Sequence, residues 1–186
     1  MQSTISSVEV GHFSLPLAEV LVDAKHGAHT EFELITVTIN TSDGLSGTGY
    51  TYTGGKGGYA VAAMAEHDLK PFLLGQNATD IDALYDGMQW HVHYVARGGI
   101  ASFAISAADI ALWDLKGKRE GLPLWQMAGG AAQSCRAYRG GIDLDFSLPK
   151  LVKSVEGYLE RGFDGVKIKI GKPELAEDLD RMRAIK

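Results

Sequence analysis

The pattern of apolar residues changes character at Gly129-Gly130, and one fold layer cannot serve both sides of that change. Before it, segments alternating with period two are followed by segments with helical spacing. After it, strand-like and helix-like stretches take turns. Ile5 to Phe13, Phe32 to Asn40 and Leu45 to Tyr52 read as strands of an antiparallel meander, with Asp43-Gly44 as the hairpin turn between the last two. Between the first two strands, Leu15 to Thr30 reads as a polar excursion around Asp23-Ala24-Lys25-His26-Gly27, a loop length often tied to function.

Three helices follow. Tyr59 to Leu74 ends at Gly75. A second helix capped by Thr79 or Asp80 runs to about Tyr94. A third spans Ile100 to Glu120, with Ile100, Phe103, Ala107, Ile110, Ala111 and Leu115 near one face, and is stopped by Gly121 and Pro123. Past Gly130 the spacing predicts a strand at Cys135 to Arg139 and a helix at Ser147 to Arg161. A strand at Phe163 to Ile170 and a helix at Pro173 to Lys186 follow, with Ser147 as an N-cap and Pro173 in a first turn. Strand-helix-strand-helix order means parallel β/α units. The expected organisation is therefore an α+β domain over 1–130 and two β/α units over 131–186. Two parallel strands cannot close a barrel or cover their edges, so the chain is expected to be part of a longer protein.

Composition excludes more than it identifies. Over 186 residues, 45% hydrophobic and 22% charged residues are ordinary for a globular chain, and a net charge of -5 argues against nucleic acid as a partner. The polar start, Met1 to Glu9, and the absence of a membrane-length apolar run lead us to expect a cytoplasmic protein with no membrane partner. The single Cys135 allows no internal disulfide and is expected as a small core residue. Gly54-Gly55-Lys56-Gly57-Gly58 lacks the spacing of a phosphate loop and follows an antiparallel strand. His91 and His93, two apart on a helix, point in different directions and are expected to be structural. The acidic residues Glu174, Glu177, Asp178 and Asp180 sit at a helix start, where carboxylates suit the dipole.

Chemistry is concentrated in Val166-Lys167-Ile168-Lys169-Ile170. Residues i and i+2 of a strand share a face, so both ammonium groups point the same way. Each disfavours the other's charge, which is the physical basis for a lysine that acts as a base.

Three features then resemble the mandelate racemase and muconate-lactonizing branch of the enolase superfamily: the helix Ala104 to Lys118 with Gly121-Leu122-Pro123-Leu124 behind it, the Lys-x-Lys stretch Phe163 to Gly171, and the order of elements. The resemblance implies an α+β capping domain followed by the start of a (β/α)8 TIM-type barrel. It implies abstraction of the proton α to a carboxylate, with Lys169 as base and Lys167 beside it, and Mg²⁺ as cofactor. The metal ligands are expected outside this segment, none being assigned within it. The polar loop at Lys25 and His26 is similar to that of talarate/galactarate-type acid-sugar dehydratases. Lys25, His26 and Tyr52, with Tyr50 nearby, are accordingly candidates for substrate contact. Gly140-Gly141 stands where a hydroxyl residue would bind substrate in mandelate racemase, which disfavours that activity. The implied enzyme is a carbon-oxygen hydro-lyase acting on a sugar acid and forming a homo-oligomer. Racemisation, epimerisation or cycloisomerisation is the alternative, and a non-catalytic binding module a further one. The 186 residues alone are expected to be inactive.

Overall fold

Glu33, Ile35, Val37, Ile39 and Thr41 are buried while the residues between them are not, the burial pattern of a strand with one covered face. In the computed structural model, which describes residues 3–95 and 97–186, these residues belong to β2 (Gly27–Thr41), hydrogen-bonded between β1 (Ile5–Asp23) and β3 (Ser46–Thr53). β2 and β3 are antiparallel, with Val37 opposite Gly49 and Ile39 opposite Gly47. The region read from sequence as a loop, Leu15 to Thr30, instead continues both strands to a short turn at 24–26. From Phe13 onward no residue of β1 is buried, so the period-two signal that marks a strand is missing there.

The chain divides into two compact units. The first holds residues up to Leu15 and Glu31–Ala131. Its three-stranded sheet is covered by α4 (Gly99–Glu120). A Cβ on Gly49 would lie 2.0 Å from the Ala107 carbonyl oxygen, and one on Gly47 2.2 Å from that of Ala111. Helix backbone therefore rests directly on strand backbone. That approach selects alanines, and the buried face is Ala101, Ala104, Ile105, Ala107, Ala108, Ala111, Leu112 and Leu115. Ile100, Phe103 and Ile110, expected on that face, are more than two-fifths exposed. The Asp114 carboxylate locks the contact by accepting from the Thr48 N–H (2.8 Å) and from Lys118 (2.8 Å).

Ahead of α4 run α1 (Gly58–Ala63), a π-helical turn (Met64–Leu69), α2 (Lys70–Leu73) and α3 (Ile81–His91), and behind it the short α5 (Leu124–Met127). The π turn breaks what reads as one helix. Pro71 has no N–H for an α-ladder and its ring crowds the carbonyl four residues back, so the register slips by one and Lys70 N–H bonds to Ala65. Asp80 caps α3 through the Ala83 N–H (3.4 Å). His93 falls beyond α3, its ring nitrogen 3.2 Å from the Trp90 carbonyl. Among the described residues no helix is long and apolar enough to cross a membrane.

The second unit joins the hairpin end Pro16–Thr30 to Ala132–Lys186. It contains β4 (Arg139–Gly140), α6 (Leu148–Leu159), β5 (Val166–Lys167) and α7 (Leu175–Ala184). β4 and β5 are parallel, Gly140 opposite Lys167. Both strands are shorter than the expected Cys135 to Arg139 and Phe163 to Ile170. Cys135 is exposed rather than in a core, because the ladder begins four residues later. Pro173 lies outside α7, whose N-cap is Glu174. Ser147 occupies the N-cap position of α6 without a side-chain bond.

Candidate active site

β5 stops at Lys167 because the backbone of Lys169 is claimed by side chains. Its N–H donates to Asp143 Oδ1 (2.8 Å), and its carbonyl accepts from Arg181 Nη2 (3.3 Å). Arg181 also donates to Asp143 Oδ1 (3.0 Å), to the Asp143 carbonyl (2.8 Å) and to that of Phe146 (3.0 Å). Asp143 and Arg181 are 5% and 2% exposed. A buried ion pair with most of its remaining hydrogen-bond capacity turned onto backbone tolerates burial, although the Arg181 Nε is buried without a partner among the described residues. Here the pair fixes the main chain on which Lys169 stands. The following turn is fixed in the same way, since Asp178 accepts from the Gly171 and Lys172 N–H groups (2.8 and 3.2 Å). Asp178 is thus a buried turn-holder as well as a first-turn acid of α7.

Lys167 and Lys169 both line a cavity of about 610 Å³ in the second unit. Arg139 and Lys150 line it too, together with Glu19 and Asp143. Glu19 is ion-paired to Lys150 and Asp143 to Arg181. Neither lysine of the Lys-x-Lys pair makes an ion pair among the described residues. The cavity therefore carries uncompensated positive charge and suits a carboxylate. Gly140, which departs from the hydroxyl residue discussed above, has a structural use. A Cβ there would stand 3.3 Å from Lys167 Cε, so the bare glycine leaves room for that side chain.

The two carboxylates of this cavity are spent on basic partners, and they do not form the oxygen shell that Mg²⁺ requires. The Mg²⁺ implied by the resemblance is therefore not held by these two carboxylates.

Of the other sequence candidates, Lys25 and His26 lie in the hairpin turn. Asp23 Oδ1 accepts from their N–H groups (2.9 and 2.7 Å) and, with Gly27 at φ 75°, sets the turn. Those bonds, the His26 N–H foremost, followed by the His26 ring, hold the Asp23 carboxyl well below the usual carboxylate range against the opposing effect of desolvation. Ala24 sits against Gly171, where a Cβ would come within 2.5 Å of the Ala24 Cβ. Tyr52 stands on β3 in the first unit, 59% exposed, edge-on to Phe32, and is not among the residues lining the lysine cavity. Sequence reasoning missed Asp143, Arg181, Arg139 and Lys150. Asp143 and Arg181 are 38 residues apart, and no local pattern ties them together.

Residues 14–129 match the sequence model of the mandelate racemase / muconate lactonizing enzyme N-terminal domain. The chain is 47% identical over 182 residues to the 3,6-anhydro-alpha-L-galactonate cycloisomerase of Streptomyces coelicolor, covering 98% of this chain and 50% of the relative. It is 38% identical over 179 residues to the L-talarate/galactarate dehydratase of Salmonella typhimurium, covering 92% and 44%. Among solved structures it matches a racemase from Streptomyces coelicolor A3(2) with bound magnesium, with a TM-score of 0.95 and 47% identity over 97% of this chain and 51% of that one. It also matches the Salmonella dehydratase liganded with Mg and L-lyxarohydroxamate, with a TM-score of 0.93 and 35% identity over 100% and 49%. The chain spans about half the length of the curated relatives it matches.

Proposed function

This chain belongs to the mandelate racemase/muconate lactonizing enzyme family, and from that premise we propose that it is part of an enzyme that eliminates a β-oxygen from a sugar acid. Residues 1–130 are proposed as the capping domain, and 131–186 as the first two β/α units of a (β/α)8 barrel. The observation that carries the chemistry is the pair Lys167 and Lys169 in one positively charged cavity, with the Lys169 backbone clamped by Asp143 and Arg181. Lys169 takes the proton from the carbon next to the substrate carboxylate. Lys167 holds that carboxylate as its charge grows. The electron pair left on carbon then expels the oxygen on the neighbouring carbon, which leaves with a proton, and the resulting enol becomes a ketone. Lys25, on the hairpin tip, is proposed to meet a distal acid or hydroxyl group.

One elimination accounts for both the dehydration and the cycloisomerisation named among the relatives. Where the β-oxygen is a hydroxyl, water departs and the reaction is a dehydration. Where that oxygen bridges C3 to C6, as in a 3,6-anhydro acid, it stays attached through C6, and the product is an isomer. The 47% identity to the cycloisomerase, against 38% to the dehydratase, favours the bridged substrate as the second reading. The test offers the protein carrying this chain a galactarate and a 3,6-anhydrogalactonate in D₂O and follows product mass. Loss of water marks dehydration, and an isomer with a new keto group, heavier only by the deuterium taken from solvent, marks ring opening. Turnover surviving in Lys169→Ala would sink the proposed base.

A further inference from the structure

Asp23, His26 and His29 bring one carboxylate and two imidazoles together at the end of the β1–β2 hairpin, with their ligand atoms within 4.8 Å of one another. The two oxygens of Asp23 share the His26 ring, whose Nδ1 lies 3.2 Å from Oδ1 and 3.1 Å from Oδ2. Oδ1 accepts the turn's backbone N–H groups. Oδ2 faces the two rings, 3.1 Å from His26 Nδ1 and 3.2 Å from His29 Nε2. We propose that this triad is a binding site for a borderline divalent transition ion of the Zn²⁺ class, separate from the lysine cavity. A tetrahedral ion with bonds of about 2.1 Å places neighbouring ligand atoms about 3.4 Å apart. The two observed separations fall within a few tenths of an ångström of that edge. The third, between the two imidazoles, is no more than 4.8 Å, so closing on the ion asks at most about 1.4 Å of movement from the exposed His26 ring.

The donor set selects the class. Two imidazole nitrogens and one carboxylate oxygen suit Zn²⁺, Co²⁺ or Ni²⁺, whereas Mg²⁺ prefers oxygen and water. Three protein ligands leave a fourth position for water, and His26, with its side chain 63% exposed, leaves that side open. The site is also preorganised. Asp23 and His29 side chains are 12% and 10% exposed, the turn is fixed through Oδ1, and Ala24 is seated on Gly171. Bound metal joins the last residue of β1 to the turn and to β2. It thereby pins the hairpin end whose Glu19 and Leu21 line the lysine cavity. His26 is then committed to the ion and unavailable to a substrate.

The test is Zn²⁺ titration of the purified protein carrying this chain by calorimetry at neutral pH, with excess Mg²⁺ present, followed by Co²⁺ spectroscopy. The expected result is one Zn²⁺ per chain, undisturbed by Mg²⁺, and visible Co²⁺ bands of four-coordinate intensity. His26→Gln, at an exposed position that the fold tolerates, and His29→Gln should each weaken binding more than about tenfold. His91→Gln with His93→Gln should leave it unchanged. Three results would overturn the site and leave the triad as hydrogen bonds alone: no saturable Zn²⁺ uptake, displacement by Mg²⁺, or full affinity in both His26→Gln and His29→Gln.

Discussion

Replacing Arg181 with methionine is the sharpest test of how the Lys169 backbone is held. The substitution keeps much of the apolar stem and removes four donor contacts, to Asp143 Oδ1 and to the carbonyls of Asp143, Phe146 and Lys169. It leaves the Asp143 carboxylate buried with the Lys169 N–H and no cation. Breaking a buried pair from one side costs about 3–5 kcal/mol, because the remaining charge is uncompensated. The exposed pair Arg183–Asp180 on the same helix, with side chains 73% and 58% exposed, is the matched control, and Arg183→Met should cost about 0–1 kcal/mol. Trp90, Trp113 and Trp125 all lie in the first unit, so tryptophan fluorescence does not report on this change. Hydrogen exchange of peptides covering 143–171 does. A loss of about 3–5 kcal/mol speeds exchange at Lys169 by roughly two to three and a half powers of ten. Adding Asp143→Asn removes the stranded charge and should recover part of the loss. If Arg181→Met behaves like Arg183→Met, or if the double variant is no better than the single, the reasoning fails.

Other outcomes follow from the first unit and from α6. Thr41 above all, then Ser3 and Arg119, lower the Asp43 carboxyl from 3.8 to about 2 against opposing desolvation. A depressed carboxylate stabilises the fold above its unfolded pKa, and that contribution disappears as pH falls through the folded one. Asp43→Asn should therefore flatten the acid limb of thermal stability between about pH 4 and 2 and change its shape little above that; an unchanged acid limb would count against the Thr41 and Arg119 contacts. Gly49→Ala puts a methyl group 2.0 Å from helix backbone and should cost about 1–3 kcal/mol or more in urea unfolding. Gly157→Ala, inside α6 with nothing within 4 Å of the new methyl group, should stabilise by up to about 1 kcal/mol.

Legibility in the sequence tracked burial. β2 and β3 announce themselves because Ile35, Val37 and Ile39 are covered on one side only, and Asp43-Gly44 marks their turn. No residue of β1 in the outer half of the β1–β2 hairpin is fully buried, and the partly covered Leu21, Val22 and Asp23 follow one another without alternation, so they carry no period. The face of α4 was misjudged for a related reason. Large apolar residues usually indicate the core, but two glycines on β3 bring the helix so near that alanines fill it. The lysine pair was visible as a local alternation. Its supports were not, because Asp143 and Arg181 meet only through the fold, and Gly140 matters for what it lacks.

The hairpin has a further consequence for taking the protein apart. The chain passes between its two units at Leu15–Pro16, at Thr30–Glu31 and at Ala131–Ala132, so a single proteolytic cut after Ala131 leaves them covalently linked in the wrong place. A peptide of residues 132–186 would leave behind Val22, whose carbonyl accepts the Leu144 N–H (3.1 Å), and Glu19, the partner of Lys150. The natural excision unit is discontinuous. A circularly permuted chain that carries Pro16–Thr30 on a linker ahead of Ala132 keeps both contacts, and a simple C-terminal piece does not.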